Sequence, residues 1–204
     1  MVKKSMKSPP PIVYLALILA IGYGGYRFFT KSELKSNFNK PKELREYDRV
    51  ENALRNQEWR QADFLTWGIL KELADDNKSG WLNQKEIENL PCPDLLKIDQ
   101  LWRGYSGDRF GFSIQKDIYQ NLGGGYDANF DIRAYRTFAF QVGWVNPQTT
   151  KQREGYYFYK DLKFKLDQAP RGHLPAFSAT WISYDSSEQG FVALAERLNI
   201  CLVR

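Results

Sequence analysis

The chain has 204 residues, of which 43% are hydrophobic and 15% aromatic, and its formal net charge at pH 7 is +5. Residues 1–45 hold nine Lys and Arg against two Asp and Glu, a net +7, whereas the rest of the chain holds twenty against twenty-two, a net −2. The basic charge therefore lies in an amino-terminal arm, and the net charge of the chain is no evidence for a nucleic-acid-binding surface on the remainder. That remainder is long enough for one domain with a core.

An uncharged apolar run near the amino terminus predicts a membrane-spanning helix. Residues 12–26 carry no charge, and the run extends to Phe29 if Arg27 places its guanidinium at the membrane interface. The alternative is a secretory signal peptide, because lysines precede the run and Ala20-Ile21-Gly22 is a small-x-small cleavage pattern. We prefer the anchor, since the run is long for a signal core. The predicted order is a basic leader, a transmembrane anchor, a basic linker and one helical domain: residues 1–11, 12–29, 30–42 and 43–204.

The charges on either side of this run predict its orientation. Three lysines precede it and six Lys and Arg follow it between Arg27 and Arg45, and the side richer in positive charge faces the cytoplasm. We therefore predict a single-pass membrane protein whose domain lies on the cytoplasmic side. Small residues spaced four apart would let two such helices pack closely as a homodimer, although ordinary composition also explains them: Ala16, Ala20 and Gly24.

Two helices are predicted at the start of the domain. Apolar residues recur at helical spacing in two runs separated by the polar Asn56-Gln57-Glu58, which predicts a helical hairpin. The first run is Leu44, Tyr47, Val50 and Leu54, and the second is Trp59, Ala62, Leu65, Ile69 and Leu73.

The stretch that follows the hairpin fits the spacing of an EF-hand calcium loop. Oxygen-bearing side chains occupy its positions 1, 3, 5 and 12, namely Asp75, Asn77, Ser79 and Glu86, with Gly80 at position 6. The loop is single, however, and only one ligand before Glu86 is charged. We prefer the alternative, a polar turn between two helices.

Helix signals are densest between Pro91 and Gly125. Pro93 or Asp94 is predicted to begin a helix, and Ser106-Gly107-Asp108 to end it. Its buried face is Leu95, Ile98, Trp102 and Tyr105. Ser113 is predicted to cap a second helix that ends at three glycines and buries Ile114, Ile118 and Leu122. Phe110 and Phe112 then lie at the corner between the two helices.

The remaining residues predict two more helices and two irregular segments. Asp131 is expected to cap a helix that ends at Gly143. The alternation from Gly155 to Leu166 indicates a short strand or an extended arm, and the prolines and glycine of residues 169–175 indicate a loop. Ser186 and Gln189 form a capping box for a last helix. The predicted buried face of that helix is Phe191, Leu194, Leu198 and Cys201.

Reactive side chains are few, and no combination of nucleophile, base and acid indicates an enzyme. The only histidine, His173, could ligate a metal or a metalloporphyrin, but we predict that it hydrogen-bonds to local backbone. The two cysteines, Cys92 and Cys201, could pair, yet two cysteines do not define a disulfide framework. We interpret both as reduced, buried thiols, and we predict no metal site.

Four ordered blocks of the chain resemble the signature of the genomes-uncoupled-four family, the tetrapyrrole-binding accessory proteins of magnesium chelatase. The blocks are PCPDLLKIDQLW at 91–102, YSGDRFGFSIQKDIY at 105–119, VGW at 142–144 and APRGHLP at 169–175. The resemblance covers residues 47–204. It implies an all-α, compact helical domain with an aromatic concave face, and it favours an extended irregular segment over a sheet for residues 155–166.

The resemblance also implies a ligand and a site. The expected ligand is protoporphyrin or magnesium protoporphyrin, with no obligatory cofactor, and the expected partner is a magnesium chelatase subunit in chlorophyll biosynthesis. Aromatic faces would stack on the macrocycle. Cations would pair with its propionates, and the candidates are Arg171 and Arg109. The predicted binding residues are Phe110, Phe112, Tyr156, Tyr157, Arg171, Phe177 and Trp181.

Two departures from the family pattern leave an alternative open. Tyr156 stands where the family usually has a tryptophan, and Ser178 and Trp181 stand where its ligand-binding loop commonly has polar and basic residues. The alternative function is an anchored regulatory or interaction scaffold that has lost strong porphyrin binding.

Overall fold

The computed structural model describes residues 42–74, 82–126, 130–146, 155–176 and 187–203. The chain divides into two units, residues 1–40 and 41–204, and all the described residues belong to the second. The described part is all-helical, with a single isolated antiparallel bridge, Val145 to Tyr156, and no strand. Its α-helices are α1 Lys42–Arg55, α2 Trp59–Leu73, α3 Gln84–Glu88, α4 Cys92–Ser106, α5 Phe112–Asn121, α6 Ile132–Gln141 and α7 Ser187–Val203.

Helices α1 and α2 form the predicted hairpin. Their apolar faces are buried at Val50, Leu54 and Trp59, and α1 also packs on α4. The Trp102 indole of α4 donates a hydrogen bond of 3.0 Å to the Thr66 hydroxyl of α2, so this buried polar pair is satisfied. The hairpin and α4 therefore share one core.

The corner between α4 and α5 is built around a buried carboxylate. Helix α4 ends as predicted at Gly107, whose φ of 61° is left-handed. The prediction that Ser113 caps α5 is wrong, because the helix begins at Phe112 after Gly111. Asp99 of α4 provides the acceptor instead: its carboxylate accepts the Ser113 N–H at 2.8 Å and the Ser113 hydroxyl at 2.7 Å. Ser113 is a donor within the first turn, not the cap.

The carboxyl-terminal helix α7 completes the core. Its Phe191 stacks on Phe138 of α6, with ring centroids 4.3 Å apart, and meets Tyr119 and Trp144 edge to face. The predicted apolar face of α7 is confirmed, since Phe191, Leu194, Leu198 and Cys201 are all buried. Aromatic pairs in these geometries add to the stabilisation that burial alone gives.

A disulfide joins the first residue of α4 to the last turn of α7. Cys92 and Cys201 are bonded, with Cα atoms 5.2 Å apart and a separation of 109 positions in the sequence. The prediction that both are reduced thiols is therefore wrong. Residue count gave no reason to pair them, and only the packing of α7 against α4 brings the two side chains together.

The predicted cap of α6 and the predicted irregular segments are confirmed. The Asp131 side chain accepts the Arg133 N–H at the start of α6. Residues 155–158 are extended, a short 3-10 turn follows at Tyr159–Asp161, and residues 162–176 form no regular element. The carbonyls of this loop are held by side chains of the α4–α5 corner, since Gln115 donates to Gly172 and Pro175.

The predicted membrane anchor, residues 12–29, and its small residues Ala16, Ala20 and Gly24 lie outside the described residues. Among the helices that the structure does describe, none combines the length and the apolar composition that crossing a bilayer requires.

Substitution of Gly111 tests the close packing of the corner. Its φ is 133°, and a Cβ there would lie 2.9 Å from both the Asp99 Oδ1 and the Arg103 Cγ atoms. We expect Gly111→Ala to lower the free energy of unfolding by about 2 kcal/mol or more, through backbone strain and the contact with Asp99. Chemical denaturation measures this change.

The matched control is Gly104→Ala in the middle of α4. A Cβ at Gly104 meets nothing within 4 Å, and alanine favours a helix over glycine by about 0.5–1 kcal/mol. Gly104→Ala should leave stability unchanged or raise it. Equal destabilisation by the two substitutions would contradict the role assigned to Gly111.

Candidate functional site

The residues from Gly155 to Asp161, here called the aromatic segment, carry four consecutive aromatic side chains. The segment is held by backbone hydrogen bonds to the end of α6: Asn146 N–H donates to Gly155 at 2.6 Å and Tyr157 N–H donates to Trp144 at 2.9 Å. The segment is therefore a fixed platform despite its lack of regular structure.

Two of these four aromatic side chains face solvent. Phe158 is 74% exposed and Tyr157 is 37% exposed, whereas Tyr156 and Tyr159 are half-buried. The Lys160 ammonium lies 5.9 Å from the centroid of the Phe158 ring. Exposed aromatic faces beside a cation on a held backbone are suited to a flat, apolar ligand with an acidic edge.

The other side of the aromatic segment rests on α2. The Arg60 guanidinium lies 4.1 Å from the centroid of Phe164 and 5.5 Å from that of Tyr159, and it donates to the Lys160 carbonyl at 3.3 Å. Arg60 thus links α2 to the segment by cation–π contacts and a hydrogen bond.

A buried carboxylate lies under this contact. Asp63 of α2 is 1% exposed, and its carboxylate accepts the Ala176 N–H at 2.7 Å and a hydrogen bond from Tyr159. Burial raises the pKa of Asp63 to about 6, because a low-dielectric surrounding disfavours the charged form, while its hydrogen bonds and the Arg60 charge oppose the shift. Asp63 therefore joins the aromatic segment to the end of the 162–176 loop.

The structure places the seven predicted binding residues in three settings. Phe110 and Phe112 are buried in the core, where the Phe110 ring meets Trp59 and Trp102 edge to face. Tyr156 is half-buried, and Tyr157 and Arg171 are exposed. Phe177 and Trp181 lie outside the described residues, as does Ser178. Of the predicted set, the described surface offers Tyr157 and Arg171, with part of Tyr156.

Arg109, the second predicted cation, already has a structural partner. Its Nε and Nη2 atoms donate to the Ala169 carbonyl at 3.0 and 2.6 Å. The same side chain lines an open groove of about 680 Å³, which is bounded by Gln57, Trp59, Ser106, Gly107, Arg109 and residues 164–167. Phe164 belongs both to this groove and to the cation–π contact with Arg60.

His173 is buried and both of its ring nitrogens are used. Nδ1 donates to the Val142 carbonyl at 2.6 Å, and Nε2 accepts the Lys163 N–H at 3.0 Å. Burial lowers the pKa of His173, in agreement with a neutral ring. The prediction that the ring bonds to backbone is confirmed, but the prediction that this backbone is local is wrong, because Val142 and Lys163 are distant in sequence.

The predicted polar turn at residues 75–81 lies outside the described residues, and so do Asp75, Asn77 and Ser79 of the calcium alternative. Glu86 is described, and its carboxylate accepts the Asn83 N–H at 2.7 Å in a capping box of α3. Across the described ranges, no group of three or more His, Cys, Asp or Glu side chains is arranged to hold a metal ion.

Three surface residues at this site were missed from the sequence. Phe158 and Lys160 adjoin the predicted Tyr157, and Arg60 lies far away on α2. The run of four aromatic residues marks the segment but not which ring is exposed, because Tyr157 and Phe158 are adjacent and both face solvent, against the alternation of a strand. No local signal connects Arg60 with residues 159–164.

A family model described as GUN4-like matches residues 40–188. The chain belongs to the GUN4-like family. The family resemblance inferred from the sequence is therefore confirmed.

Named relatives of this GUN4-like chain include proteins from a plant and a cyanobacterium. It is 31% identical over 138 residues to an Arabidopsis thaliana protein named "Tetrapyrrole-binding protein, chloroplastic", covering 65% of this chain and 49% of that protein. It is 31% identical over 133 residues to a Ycf53-like protein of Synechocystis, covering 64% and 50%. The chain spans about half the length of the curated relatives it matches.

Two solved GUN4 structures resemble the described fold. The ligand-free structure of Arabidopsis thaliana GUN4 has a TM-score of 0.55 at 26% identity and covers 75% of this chain and 90% of that one. GUN4 from Chlamydomonas reinhardtii has a TM-score of 0.57 at 25% identity and covers 75% and 87%. The likeness supports an all-helical GUN4 fold for the domain.

The predicted localisation, a single-pass membrane protein with its domain on the cytoplasmic side, is wrong. No helix in the described part of the GUN4-like chain is long and apolar enough to span a membrane, and the matching Arabidopsis relative is named a chloroplastic protein. A short charge-free run is ambiguous on its own, since hydropathy alone does not separate an anchor from other segments of this length.

The buried Asp63 carboxylate predicts a specific pH dependence of stability. The pKa of Asp63 is about 6 in the folded protein, against the usual aspartate value of 3.8. The folded state therefore binds the proton more tightly than the unfolded state, and the stabilisation from this proton is lost as pH rises from about 4 to about 6. The Asp63→Asn variant lacks this titration. We therefore expect its free energy of unfolding, relative to that of the wild type, to rise by up to about 3 kcal/mol across that range.

Urea denaturation of both proteins at pH 4, 5, 6 and 7 checks this expectation. Asparagine keeps an oxygen acceptor for Ala176, so the hydrogen bond is retained while the titration is removed. Stability curves that run parallel from pH 4 to pH 7 would show that Asp63 titrates normally.

Proposed function

We propose that this GUN4-like domain binds a tetrapyrrole, protoporphyrin or its magnesium form, on the aromatic segment. The observation that carries the proposal is the exposed Phe158 and Tyr157 pair, on a backbone that hydrogen bonds hold at Gly155 and Tyr157. The name of the Arabidopsis relative, a tetrapyrrole-binding protein, supports the choice of ligand.

The apolar part of the ligand fits the exposed rings. A porphyrin is a broad, flat, apolar macrocycle, and stacking it on Phe158 and Tyr157 removes apolar surface of both partners from water. The segment cannot easily turn these rings inward, because its backbone is bonded to Trp144 and Asn146. Such a fixed platform loses little conformational entropy on binding.

The acidic part of the ligand fits Lys160 beside the rings, and Arg171 is a further candidate cation on the surface. Propionate groups at the porphyrin edge require positive charge or hydrogen-bond donors. Lys160 is exposed beside Phe158, and Arg171 is exposed on the 162–176 loop. Arg109 plays a structural part, because it donates two hydrogen bonds to the Ala169 carbonyl. Phe110 and Phe112 support the site as core residues, and Phe177 and Trp181 stay in the proposed set.

We further propose a non-catalytic role in the regulation of chlorophyll biosynthesis. A binding protein that presents a porphyrin can deliver it to, or signal its supply to, the enzyme that inserts magnesium, so a magnesium chelatase subunit is the proposed protein partner. The proposal follows the family and not a surface feature of the described residues.

Removal of the exposed rings tests the ligand site. We expect Phe158→Ala and Tyr157→Ala each to weaken protoporphyrin binding about tenfold, through lost stacking area. Titration of the full chain with protoporphyrin and magnesium protoporphyrin, followed by tryptophan quenching, gives the dissociation constants.

Phe140→Ala is the matched control for those variants. Phe140 is 52% exposed on α6, so its removal tests loss of an exposed phenylalanine away from the aromatic segment. It should bind as the wild type does. Equal weakening by all three substitutions would indicate non-specific adsorption. Saturable binding with the same affinity in Phe158→Ala, Tyr157→Ala and the wild type would place the site elsewhere.

Neutralising Lys160 tests the propionate contact. We expect Lys160→Gln to weaken binding about fivefold at low ionic strength, with a smaller difference at 1 M salt because exposed charges are screened. The comparison ligand is a porphyrin whose propionates are esterified. A variant that lowers affinity equally for the acid and the ester would remove Lys160 from the carboxylate site.

The alternative function is a regulatory or interaction scaffold that has lost strong porphyrin binding. Tyr156 in place of the family's usual tryptophan favours it. The same titration separates the two functions: a folded, helical chain that does not quench with either porphyrin supports the scaffold.

A further inference from the structure

We propose that the Cys92–Cys201 disulfide is a redox-modification site, at which a dithiol reductant opens the bond in the folded protein and releases the last turn of α7. This inference is independent of the proposed tetrapyrrole function. It rests on the position of the bond, the unequal exposure of the two cysteine residues and the exposure of the residues on either side of Cys201.

The bond closes a long loop between two elements that meet late in the chain. Cys92 is the first residue of α4, and Cys201 lies in the last turn of α7. These are the only cysteines in the sequence. No third thiol of the same chain can therefore attack the bond, and exchange requires a thiol from outside.

Exposure decides which sulfur an external thiolate reaches. Cys201 is 4% exposed, whereas Cys92 is half-buried at the helix start. Attack therefore falls on the Cys92 sulfur, forms a mixed disulfide there and expels Cys201 as a thiolate that takes up a proton. The second thiol of the reductant then attacks its own sulfur in the mixed disulfide. Cys92 leaves as a thiolate, and the reductant becomes a disulfide.

The helix favours that second step. Cys92 lies at the amino-terminal end of a fifteen-residue helix, where the helix dipole stabilises a negative charge and lowers a thiol's pKa. A thiol of lower pKa is a better leaving group in exchange. The two steps transfer two electrons and two protons from the dithiol to the protein.

Contacts around the bond limit what reduction changes. One turn earlier, Arg197 donates from Nε to the Leu90 carbonyl at 2.8 Å, and Leu198 is fully buried. Beyond Leu198, Cys201 is the only buried residue that the structure describes, since Ile200, Leu202 and Val203 are exposed. Reduction should release residues 199–203 and leave the earlier part of α7 in place.

Thiol counting and hydrogen exchange on the full chain test the proposal. The air-oxidised chain should show no reactive thiol, and dithiothreitol without denaturant should expose two per chain. Amides of residues 199–203 should then lose their protection from exchange, whereas amides of α5 should stay protected although the global stability falls. The melting temperature should fall by about 10 °C, because a long closed loop is opened.

A mapping experiment tests the order of attack, and a variant supplies the control. Glutathione, a monothiol, should be found by mass spectrometry on Cys92 as a mixed disulfide. The double variant Cys92→Ser, Cys201→Ser should match the reduced wild type in exchange and ignore dithiothreitol. Should the variant fold poorly, the reduced wild type alone carries the exchange measurement.

Four results would overturn the proposal. They are two reactive thiols in the oxidised chain, thiols that appear only in denaturant, glutathione on Cys201, and loss of protection from exchange across all helices on reduction. Because none of these readouts involves a porphyrin, failure here and failure of tetrapyrrole binding are distinguishable.

Discussion

The Asp99 carboxylate is the contact on which the rest of the domain depends. It lies in α4 and accepts two hydrogen bonds from Ser113 at the start of α5. Burial raises its pKa, because a charge in a low-dielectric surrounding is costly unless donors surround it. Hydrogen bonds to a charged group are worth roughly 1.5–3 kcal/mol each. The absence of a side chain at Gly111 is what lets the carboxylate come so close.

Contacts propagate from this corner to the surface. The Gly111 N–H donates to the Leu174 carbonyl at 3.0 Å, and the Gly172 N–H donates to the Arg109 carbonyl at 2.8 Å. The 162–176 loop is therefore hydrogen-bonded directly to the α4–α5 corner. The loop ends at Ala176, whose N–H donates a hydrogen bond to the Asp63 carboxylate. The same carboxylate accepts a hydrogen bond from Tyr159 of the aromatic segment. A continuous series of buried polar contacts therefore positions the exposed rings, and the rings of Phe158 and Tyr157 gain a rigid support.

The aromatic side chains divide into two populations with different roles. One fills the core, where Phe191 is packed among Tyr119, Phe138 and Trp144. The other is held in contact with solvent on the aromatic segment. The exposed Phe158, on a hydrogen-bonded backbone beside Lys160, belongs to the surface that we propose for recognition. This division, with family membership, makes tetrapyrrole binding the function that the described surface best supports.

The sequence by itself determined the longer helices and most of their buried faces and ends, although not the start of α5. Helical hydrogen bonds are local, so the spacing of Leu95, Ile98 and Trp102 and the glycine at 107 were sufficient to predict α4. The four motif blocks identified the family for the same reason, since they are contiguous. Two exposed residues of the proposed site, Tyr157 and Arg171, were also named from the sequence, and their part in binding stays a proposal.

Only the tertiary structure decided which distant groups meet. Nothing local distinguishes the buried Phe110 from the exposed Phe158, since both are phenylalanines beside glycine or tyrosine in irregular segments. The choice of Asp99 over the predicted Ser113 as the acceptor at α5 depends on the approach of two helices. The Cys92–Cys201 bond depends on α7 packing against α4, across a sequence separation of 109. Burial and long-range pairing are properties of the packed chain, and the sequence pattern records only neighbours.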